Sequence, residues 1–284
     1  MTEPVSVIIS VYNNAEALKR ALWGYAEQDF SEFRLIFADD GSSEQEVSQV
    51  SECVKQLGLK ATHLWHEDNG FRKASILNHA ISFARSPRLI FVDADVIPRR
   101  DFIANHYRLL RPGYFIAGGS HLDLPVAMQP DIQQEHVQTG ELFTLEYLRN
   151  YEVDLRKFRL RLEKYGIKAS LLDALFPRSN AFIGCNASCW KEHALAVNGF
   201  DEDWGYGGMD IEFGMRMTNA GVKSRRHSFS LVTLHQDHPR PYKDPEKVKK
   251  NKKALKVLVK SGVTRISNGI DHISDEKVTV LYDV

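Results

Sequence analysis

Asp93 and Asp95 follow the apolar run 89–92, a pattern typical of a buried strand. Because residues two apart on an extended chain point the same way, both carboxylates are able to face one ligand. Hard oxygen ligands at this spacing suit Mg²⁺ or Mn²⁺, whose other positions go to phosphate and water. A polar loop after a strand is the other interpretation, since aspartate is common there. The pair therefore predicts a metal–phosphate site only if the rest of the chain supplies its other parts.

Asp40 ends a second apolar run, 33–38, and is followed by glycine and serine. A carboxylate at a strand exit accepts a hydrogen bond from an imide N–H, as on uracil, or from a ribose hydroxyl. For residues 39–42 taken alone, an Asp-Gly turn that caps the next helix is the better interpretation.

Segment 70–78 combines a glycine with two basic residues ahead of a helical pattern. Gly70 permits close backbone approach to a ligand, and Arg72 and Lys73 are able to neutralise a diphosphate. The segment lacks the Gly-Lys-Ser/Thr of a Walker loop, so a solvated basic first turn stays open as an alternative.

Residues 199–213 are dense in glycine, aromatic and acidic residues. Trp204 and Tyr206 offer flat apolar faces to a sugar ring. Asp210, at the start of the next predicted helix, is placed to serve as general base for an acceptor hydroxyl. A helix-terminal acid that complements the dipole is the structural alternative for Asp210. The density of these residue types favours a functional loop.

His235 and His238 follow a predicted strand. A neutral imidazole at that point is able to complete the coordination of a metal ion, although a single histidine is more often structural. The sequence alone leaves open which of the two histidines is the ligand.

The elements that position these residues alternate over the first hundred residues. Strands are predicted at 5–11, 33–38, 61–65 and 89–92, and helices at 15–28, 44–57 and 73–84. This alternation predicts right-handed crossovers and a mainly parallel sheet flanked by helices. Ligands bind beyond the carboxyl ends of such strands. We therefore expect Asn13, Asp40, Asp93 and Asp95 to meet at one site.

The second half differs in pattern. A helix is predicted at 146–164, another at 209–220 and a strand at 228–234. No internal repeat is visible, so we expect one domain at 1–240 and a basic, helical C-terminal tail at 241–284. Within that domain, the predicted parts are a nucleotide-binding half at 1–100, a helical insertion at 120–180 and an acceptor half at 181–240.

Composition limits the function classes. The 37 basic and 37 acidic side chains cancel, so no overall field favours nucleic acid. Three cysteines without CxxC spacing argue against a disulfide scaffold and favour a reducing compartment. No stretch approaches the roughly 18 apolar residues of a spanning helix. We expect a cytoplasmic protein, whose lysine-rich segment 243–260 is either a solvated face or a peripheral contact with anionic lipid at the inner face of the membrane.

Taken in order, these segments resemble the inverting family 2 glycosyltransferases of the GT-A fold. The resemblance is carried by residues 5–13, 39–42, 70–78 and 93–95. Residues 198–213 are similar to the acceptor-side motif of chondroitin-polymerase-like and galactosyltransferase-like members. The resemblance covers about residues 4–240, and the ordered set is far more specific than any one motif.

The resemblance implies a Rossmann-like GT-A sheet and transfer of a hexose or N-acetylhexosamine from a UDP-sugar. The acceptor would be a hydroxyl of a glycan or lipid-linked glycan in bacterial surface polysaccharide or lipopolysaccharide synthesis. Nucleotide-binding residues implied are Ser10, Tyr12, Asn13, Asp40, Gly70, Arg72, Lys73, Asn78, Asp93 and Ala94. Among them Ser10 and Asp40 would seat the uracil, and Asp93 would face the ribose.

For the chemistry itself, the resemblance implies that Asp95 binds Mn²⁺ or Mg²⁺, with His235 as a further ligand. Asp210 matches the catalytic base of the family. Acceptor-binding residues implied are Trp204, Tyr206, Gly208 and Met209. Relatives often have Gly-Gly-Glu-Asp at 207–210, where this chain has methionine at 209. That change removes a potential hydrogen bond to a sugar, so the donor sugar stays open.

Two other functions remain to be weighed. A nucleotidyltransferase of related fold also uses acidic residues with Mg²⁺, but usually carries a glycine-rich basic loop after the first strand, unlike residues 12–15 here. A non-catalytic sugar-nucleotide-binding protein is the other alternative. The intact acidic pair and Asp210 speak against it.

Overall fold

A central sheet positions most of the candidate residues. The computed structural model describes residues 4–119, 121–151, 153–156, 158–163, 166–176, 181–239, 245–273 and 278–284. Its strands are β1 (Val5–Val11), β2 (Phe33–Asp39), β3 (Ala61–Trp65), β4 (Arg88–Asp93), β5 (Val96–Pro98), β6 (Tyr114–Gly118), β7 (Leu122–Leu124), β8 (Asn186–Trp190), β9 (Lys223–His227), β10 (Thr233–Gln236) and β11 (Thr279–Asp283).

Helices cover both faces of this sheet, and four of them lie between β7 and β8. They are α1 (Ala15–Ala26), α2 (Glu44–Leu57), α3 (Lys73–Phe83), α4 (Phe102–Leu109), α5 (Gln134–Gln138), α6 (Leu145–Leu148), α7 (Arg159–Glu163), α8 (Gly166–Leu175), α9 (Lys191–Ala196), α10 (Met209–Asn219) and α11 (Pro245–Ser261). Short 3₁₀ turns lie at Val126–Asp131, Glu141–Phe143 and Ile270–His272.

The large sheet has eight strands in the order β11-β3-β2-β1-β4-β8-β6-β9. Strands β3, β2, β1 and β4 run parallel, as does the pair β6 and β9. Strand β8 is antiparallel to β4 and β6, and β11 is antiparallel to β3. The predicted mainly parallel α/β sheet flanked by helices is thus confirmed.

Strand β1 is apolar on both faces because helices cover both sides of the sheet. Ile8 packs into one core layer with Leu77 of α3 and Phe213 of α10. Ile9 packs into the opposite layer with Leu22 of α1. Helices α1 and α2 lie on one side and α3 and α10 on the other, which leaves the carboxyl edge of the parallel strands for a site.

The parallel register brings the predicted strand ends together. Ser10 of β1 is the partner of Ala38 on one side and of Asp93 on the other. The helices and strands predicted for the first hundred residues are all present, and α2 and β3 have the predicted ends. Helix α1 ends at Ala26, two residues before the predicted boundary.

The predicted helix at 146–164 is wrong as a continuous element. Helix α6 ends at Leu148 and a helix resumes only at Arg159. The carboxylate of Asp154 accepts hydrogen bonds from the backbone N–H and the guanidinium of Arg156, at 3.1 and 2.8 Å. Local bonding of this kind gives the backbone an alternative to the helix. Apolar residues of this irregular segment, including Leu155, still pack against the insertion core.

The strand predicted at 228–234 begins later, at Thr233. The carboxylate of Asp173 accepts hydrogen bonds from the backbone N–H groups of Phe229 and Ser230, both at 3.0 Å. These two bonds hold residues 228–230 in a turn, so the strand starts only after it. Strand β10 then lies between β5 and β7 in a separate three-stranded sheet.

The predicted C-terminal tail is helical only in part. Helix α11 contains residues 245–260 of the lysine-rich segment, but β11 follows it and completes the edge of the central sheet beside β3. The ring of Tyr282 in β11 packs edge-on to Phe37 and His63. None of the helices in the described ranges is both long and apolar enough to cross a bilayer.

Candidate active site

Asp95 and two histidines form the most compact group of potential metal ligands. His238 Nε2 lies 3.0 Å and His235 Nε2 3.5 Å from Asp95 Oδ2. The ligand atoms of all three residues lie within 4.8 Å of one another. Burial raises the pKa of Asp95, but the hydrogen bonds from His235 and His238 outweigh it and hold that pKa well below its usual range.

The ligand atoms of this group fit a divalent cation. Among the described residues, the Oδ1 atom of Asp95 is buried and accepts no hydrogen bond. A buried carboxylate oxygen without a donor is costly unless a cation or water is bound to it. One carboxylate with two imidazoles is a donor set that Mn²⁺ and related ions accept. His238 thus joins Asp95 and His235 in the group.

A second carboxylate orients His235 from the other side. Asp123 Oδ1 lies 2.8 Å from His235 Nδ1, and the two residues are direct partners in the pairing of β7 with β10. The ring of His121 packs against that of His235 at 4.6 Å between centroids. Contacts of this kind fix the tautomer and the orientation of a ligating histidine. Sequence reasoning did not identify His121 or Asp123.

Asp93 has a different partner from Asp95. Lys73 Nζ lies 2.6 Å from Asp93 Oδ1. Burial lowers the pKa of Lys73, but the charges of Asp93, Asp210 and Asp95 outweigh it and leave that pKa above its usual range. Carboxylates from two parts of the chain, residues 93–95 and the first turn of α10, therefore act on one ammonium group.

Cys185 lies at the same convergence. Its Sγ is 3.7 Å from His121 Nδ1. Burial raises the pKa of the Cys185 thiol, and the carboxylates of Asp93, Asp210 and Asp95 raise it further. The residue is thus a neutral group in the wall of the site.

Asp40 lies at the end of β2, beside the loop before α3. One oxygen is 2.8 Å from His66 Nε2, and the other accepts the backbone N–H of Arg72 at 3.0 Å. The Arg72 guanidinium donates to the carbonyl of Glu67. Gly70 has a positive φ of 77° in this loop. Asp40 thus ties the 70–78 segment to the strand end.

The end of β1 is tied to the same loop system. The Tyr12 hydroxyl donates to Asp68 at 2.9 Å, and its ring is exposed. The backbone N–H of Asn13 donates to Ser42 Oγ at 2.8 Å, and its side chain accepts from the Ser43 N–H at 3.0 Å. Asn13 therefore joins two strand-end loops.

Ala94 and Asn78 make contacts within the protein. The Ala94 N–H donates to the Ser10 carbonyl at 3.1 Å. Asn78 is fully buried and exchanges hydrogen bonds with the backbone of Phe200 in both directions, at 2.9 and 2.7 Å. Its amide thus links α3 to the segment that begins at Gly199, and no described hydrogen bond joins it to Asp93, Asp95 or Asp210.

Asp210 lies in the first turn of α10, opposite Gly184. Its carboxylate accepts the N–H of Gly184 at 3.0 Å and that of Ile211 at 2.9 Å. Burial raises the pKa of Asp210, although these two hydrogen bonds and Lys73 oppose the shift. A carboxylate with a raised pKa accepts a proton more readily, as a general base requires.

The four predicted acceptor residues differ in exposure and position. Trp204 and Tyr206 are half-buried, and the Tyr206 ring meets Phe71 edge-on at 5.7 Å. Gly208 caps α10 with a left-handed φ of 91°. The Met209 side chain is buried in the core layer that also contains Phe213.

Comparison with known proteins places these features in a family. A family model described as Glycosyl transferase family 2 matches residues 6–159, more than half of the chain. The chain belongs to this family. A second family model, described as the N-terminal domain of galactosyltransferase, matches residues 163–238.

Three curated relatives show how much of each protein the chain spans. The uncharacterized glycosyltransferase YfnE of Bacillus subtilis is 25% identical over 270 residues, which are 87% of this chain and 68% of that protein. Validoxylamine A glucosyltransferase of Streptomyces hygroscopicus is 27% identical over 82% of this chain and 56% of its own length. For chondroitin synthase of Escherichia coli the values are 25%, 83% and 35%.

Solved structures share the GT-A fold of this glycosyltransferase. Staphylococcus aureus TarS 1–349 in complex with UDP-GlcNAc superposes with a TM-score of 0.59 at 15% identity, over 89% of this chain and 66% of that one. The mannosyltransferase PcManGT from Pyrobaculum calidifontis, in complex with GDP-Man and Mn²⁺, gives 0.57 at 20% identity, over 91% and 72%.

Proposed function

We propose that this family 2 enzyme is a metal-dependent, inverting transferase that moves a hexose or N-acetylhexosamine from a UDP-sugar to a glycan hydroxyl. The observation that carries the proposal is the compact group of Asp95, His235 and His238 beside the ion pair of Lys73 and Asp93. The charge of Asp210 also acts on Lys73. Relatives that are named as a glucosyltransferase and as chondroitin synthase support a sugar donor and a glycan acceptor.

The donor would lie along the carboxyl ends of β1, β2 and β4. Ser10 and Asp40 would seat the uracil, and Asp93 would face the ribose. Each carboxylate oxygen has two lone pairs, so Asp40 is able to accept from an imide N–H while it holds His66 and the Arg72 N–H. Lys73 lies beside Asp93, where its charge would favour a diphosphate.

Transfer follows as one displacement at the anomeric carbon. Asp210 accepts the proton of the acceptor hydroxyl as its oxygen forms the new bond to the anomeric carbon. The bond from that carbon to the diphosphate breaks, and UDP leaves with the electron pair, so the configuration inverts. A divalent cation held by Asp95 and His235, with His238 beside them, would supply positive charge to the departing diphosphate.

The biological setting is part of the proposal. We infer that the acceptor is a glycan or lipid-linked glycan of a bacterial surface polysaccharide or lipopolysaccharide. The cytoplasmic location and a contact of the lysine-rich segment with anionic lipid remain predictions.

A donor-hydrolysis assay with Mn²⁺ tests the proposal directly. The purified chain is incubated with UDP-glucose, UDP-galactose and their N-acetyl forms, with GDP-mannose as the nucleotide control, and released UDP or GDP is measured. We expect at least one UDP-sugar to be hydrolysed and GDP-mannose to be spared. Binding of these donors without any hydrolysis would instead favour a non-catalytic binding protein. Formation of UTP and a sugar 1-phosphate from a UDP-sugar and added pyrophosphate would favour the nucleotidyltransferase.

A further inference from the structure

Helix α11 lies across the loop 204–208 that precedes Asp210. A Cβ atom on Gly207 would lie 3.2 Å from Val248 Cγ2, and one on Gly208 would lie 3.3 Å from Leu255 Cδ1. These distances are tighter than most side chains tolerate, so the apolar face of α11 rests on glycine backbone. The exposed lysines of α11 lie on its other sides.

Asn251 stands between these two apolar residues and binds the loop through its side chain. Its Nδ2 donates to the carbonyls of Tyr206 and Gly207, both at 3.0 Å, and to that of Trp204 at 3.4 Å. All three partners are acceptors, so only the NH₂ end of the amide is able to face them. Two N–H groups are thus shared among three carbonyl oxygens.

The loop backbone needs such an anchor. Gly205, Gly207 and Gly208 have φ values of 65°, 97° and 91°, a left-handed conformation that glycine adopts easily and also leaves easily. The carbonyl of Gly207 also accepts the Trp204 indole N–H at 3.1 Å. Asn251 therefore holds both the loop backbone and the carbonyl that fixes the Trp204 ring.

We propose that Asn251 is a positioning residue for the acceptor, which holds Trp204 and Tyr206 in the arrangement that receives the acceptor sugar. The inference rests on the proposed function of this loop. Asn251 touches neither Asp210 nor the carboxylates of the donor side in any described contact. Asp210 is held separately by the Gly184 N–H. Loss of the anchor should therefore weaken acceptor binding and leave donor hydrolysis in place.

The test uses Asn251→Ala and Asn251→Asp, with Lys252→Ala as the matched control. Alanine is the best helix former, so neither alanine variant weakens α11 itself. Aspartate keeps the size of the side chain but removes both donors and sets a carboxylate against three carbonyls. Lys252 is the exposed neighbour of Asn251 on the same helix.

Two readouts are compared in the chain of 284 residues. Hydrogen–deuterium exchange reports on the backbone amides of peptides that cover 201–209. Kinetics with the hydrolysed UDP-sugar and a panel of p-nitrophenyl glycosides report acceptor KM, donor KM and hydrolysis rate. For Asn251→Ala we expect loop exchange and acceptor KM each to rise on the order of tenfold, the size of one or two hydrogen bonds. Asn251→Asp should show a larger rise, and Lys252→Ala none.

The outcomes separate the two proposals. Unchanged loop exchange in both Asn251 variants overturns the positioning role, and so does faster exchange with an unchanged acceptor KM. An equal loss of donor hydrolysis and transfer shows a merely structural role and also overturns it. A wild-type chain that hydrolyses no UDP-sugar refutes the proposed function, while the exchange result still decides whether Asn251 anchors the loop.

Discussion

Replacement of Asp210 by asparagine separates a catalytic base from a helix-terminal acid. The variant keeps the size and planarity of the side chain but has no basic oxygen for the acceptor proton. General-base catalysis contributes about 10²- to 10⁴-fold in rate, so kcat for transfer should fall by that factor. A residue that serves only the dipole of α10 would instead affect stability by about 0.3–1 kcal/mol and leave the rate nearly unchanged.

The expected stability change is small because two effects oppose each other. Gly184 and Ile211 donate to different oxygens of Asp210. Asparagine offers one oxygen, so one of these N–H groups loses its acceptor at a cost of about 1–3 kcal/mol. Burial disfavours the charged form of Asp210 and raises its pKa. Removal of that charge therefore offsets part of the cost. We expect the free energy of unfolding to change by less than about 2 kcal/mol.

The pH profile gives the sign of the effect. The base acts only when deprotonated, so transfer by the wild type should increase as pH rises through the pKa of Asp210. Because burial raises that pKa, this limb should lie above the value of about 3.9 for an exposed aspartate. Asp203→Asn, an exposed acid in the same motif, is the matched control. Transfer by Asp210→Asn within tenfold of wild type, or an unchanged acid limb, would refute the assignment.

Two further perturbations test the metal group and the support of α10. Asp95→Asn removes the charge between two imidazoles, so we expect its Mn²⁺ affinity, measured by calorimetry without donor, to fall more than tenfold. The control Asp203→Asn should bind Mn²⁺ as the wild type does. Equal Mn²⁺ affinity of Asp95→Asn and the wild type would contradict the metal assignment. Arg216→Leu leaves Glu212 without its buried partner at 2.5 Å and also removes hydrogen bonds to the carbonyls of Val197 and Gly199. The free energy of unfolding in urea should fall by about 3–5 kcal/mol, and a loss below 1 kcal/mol would show that the pair adds little.

Local chemistry explains why much of the structure of the first hundred residues was predictable. Helix α2 begins after Ser43, whose hydroxyl accepts the Glu46 N–H at 3.4 Å. It ends at Leu57 and is capped by Gly58, which has a left-handed φ of 63°. Both capping signals come from residues directly next to the helix in the sequence. The meeting of Asp40 and Asp93 at one edge follows from the parallel sheet, a general rule of such folds.

The parts that were missed depend on contacts between distant segments. Strand β7 has only three residues, and its Asp123 meets His235 across 112 positions of sequence. Asn251 lies in a lysine-rich helix, and that composition predicts a solvent-exposed helix. Its hydrogen-bond partners are backbone carbonyls near residue 205. Neither residue type nor spacing signals such a contact. The wrongly predicted helix at 146–164 is the opposite case. Its apolar residues have helical spacing, but the chain between Leu148 and Arg159 is not a continuous helix.

The different partners of Asp93 and Asp95 follow from the sheets that hold them. Asp93 is the last residue of β4 and pairs with Ser10 in the central sheet, where Lys73 reaches it from α3. Asp95 is already outside that strand, and its carbonyl accepts the Gln236 N–H of β10 at 2.9 Å. That bond places Asp95 beside His235, the residue before Gln236. The chain thus leaves the central sheet between Asp93 and Asp95 and approaches the three-stranded sheet. For this reason the Asp93 carboxylate faces an ammonium group, and the Asp95 carboxylate faces two imidazoles. Alternation along a single strand does not produce that division, and a register shift of β10 would remove the metal group while Asp93 and Lys73 kept their ion pair.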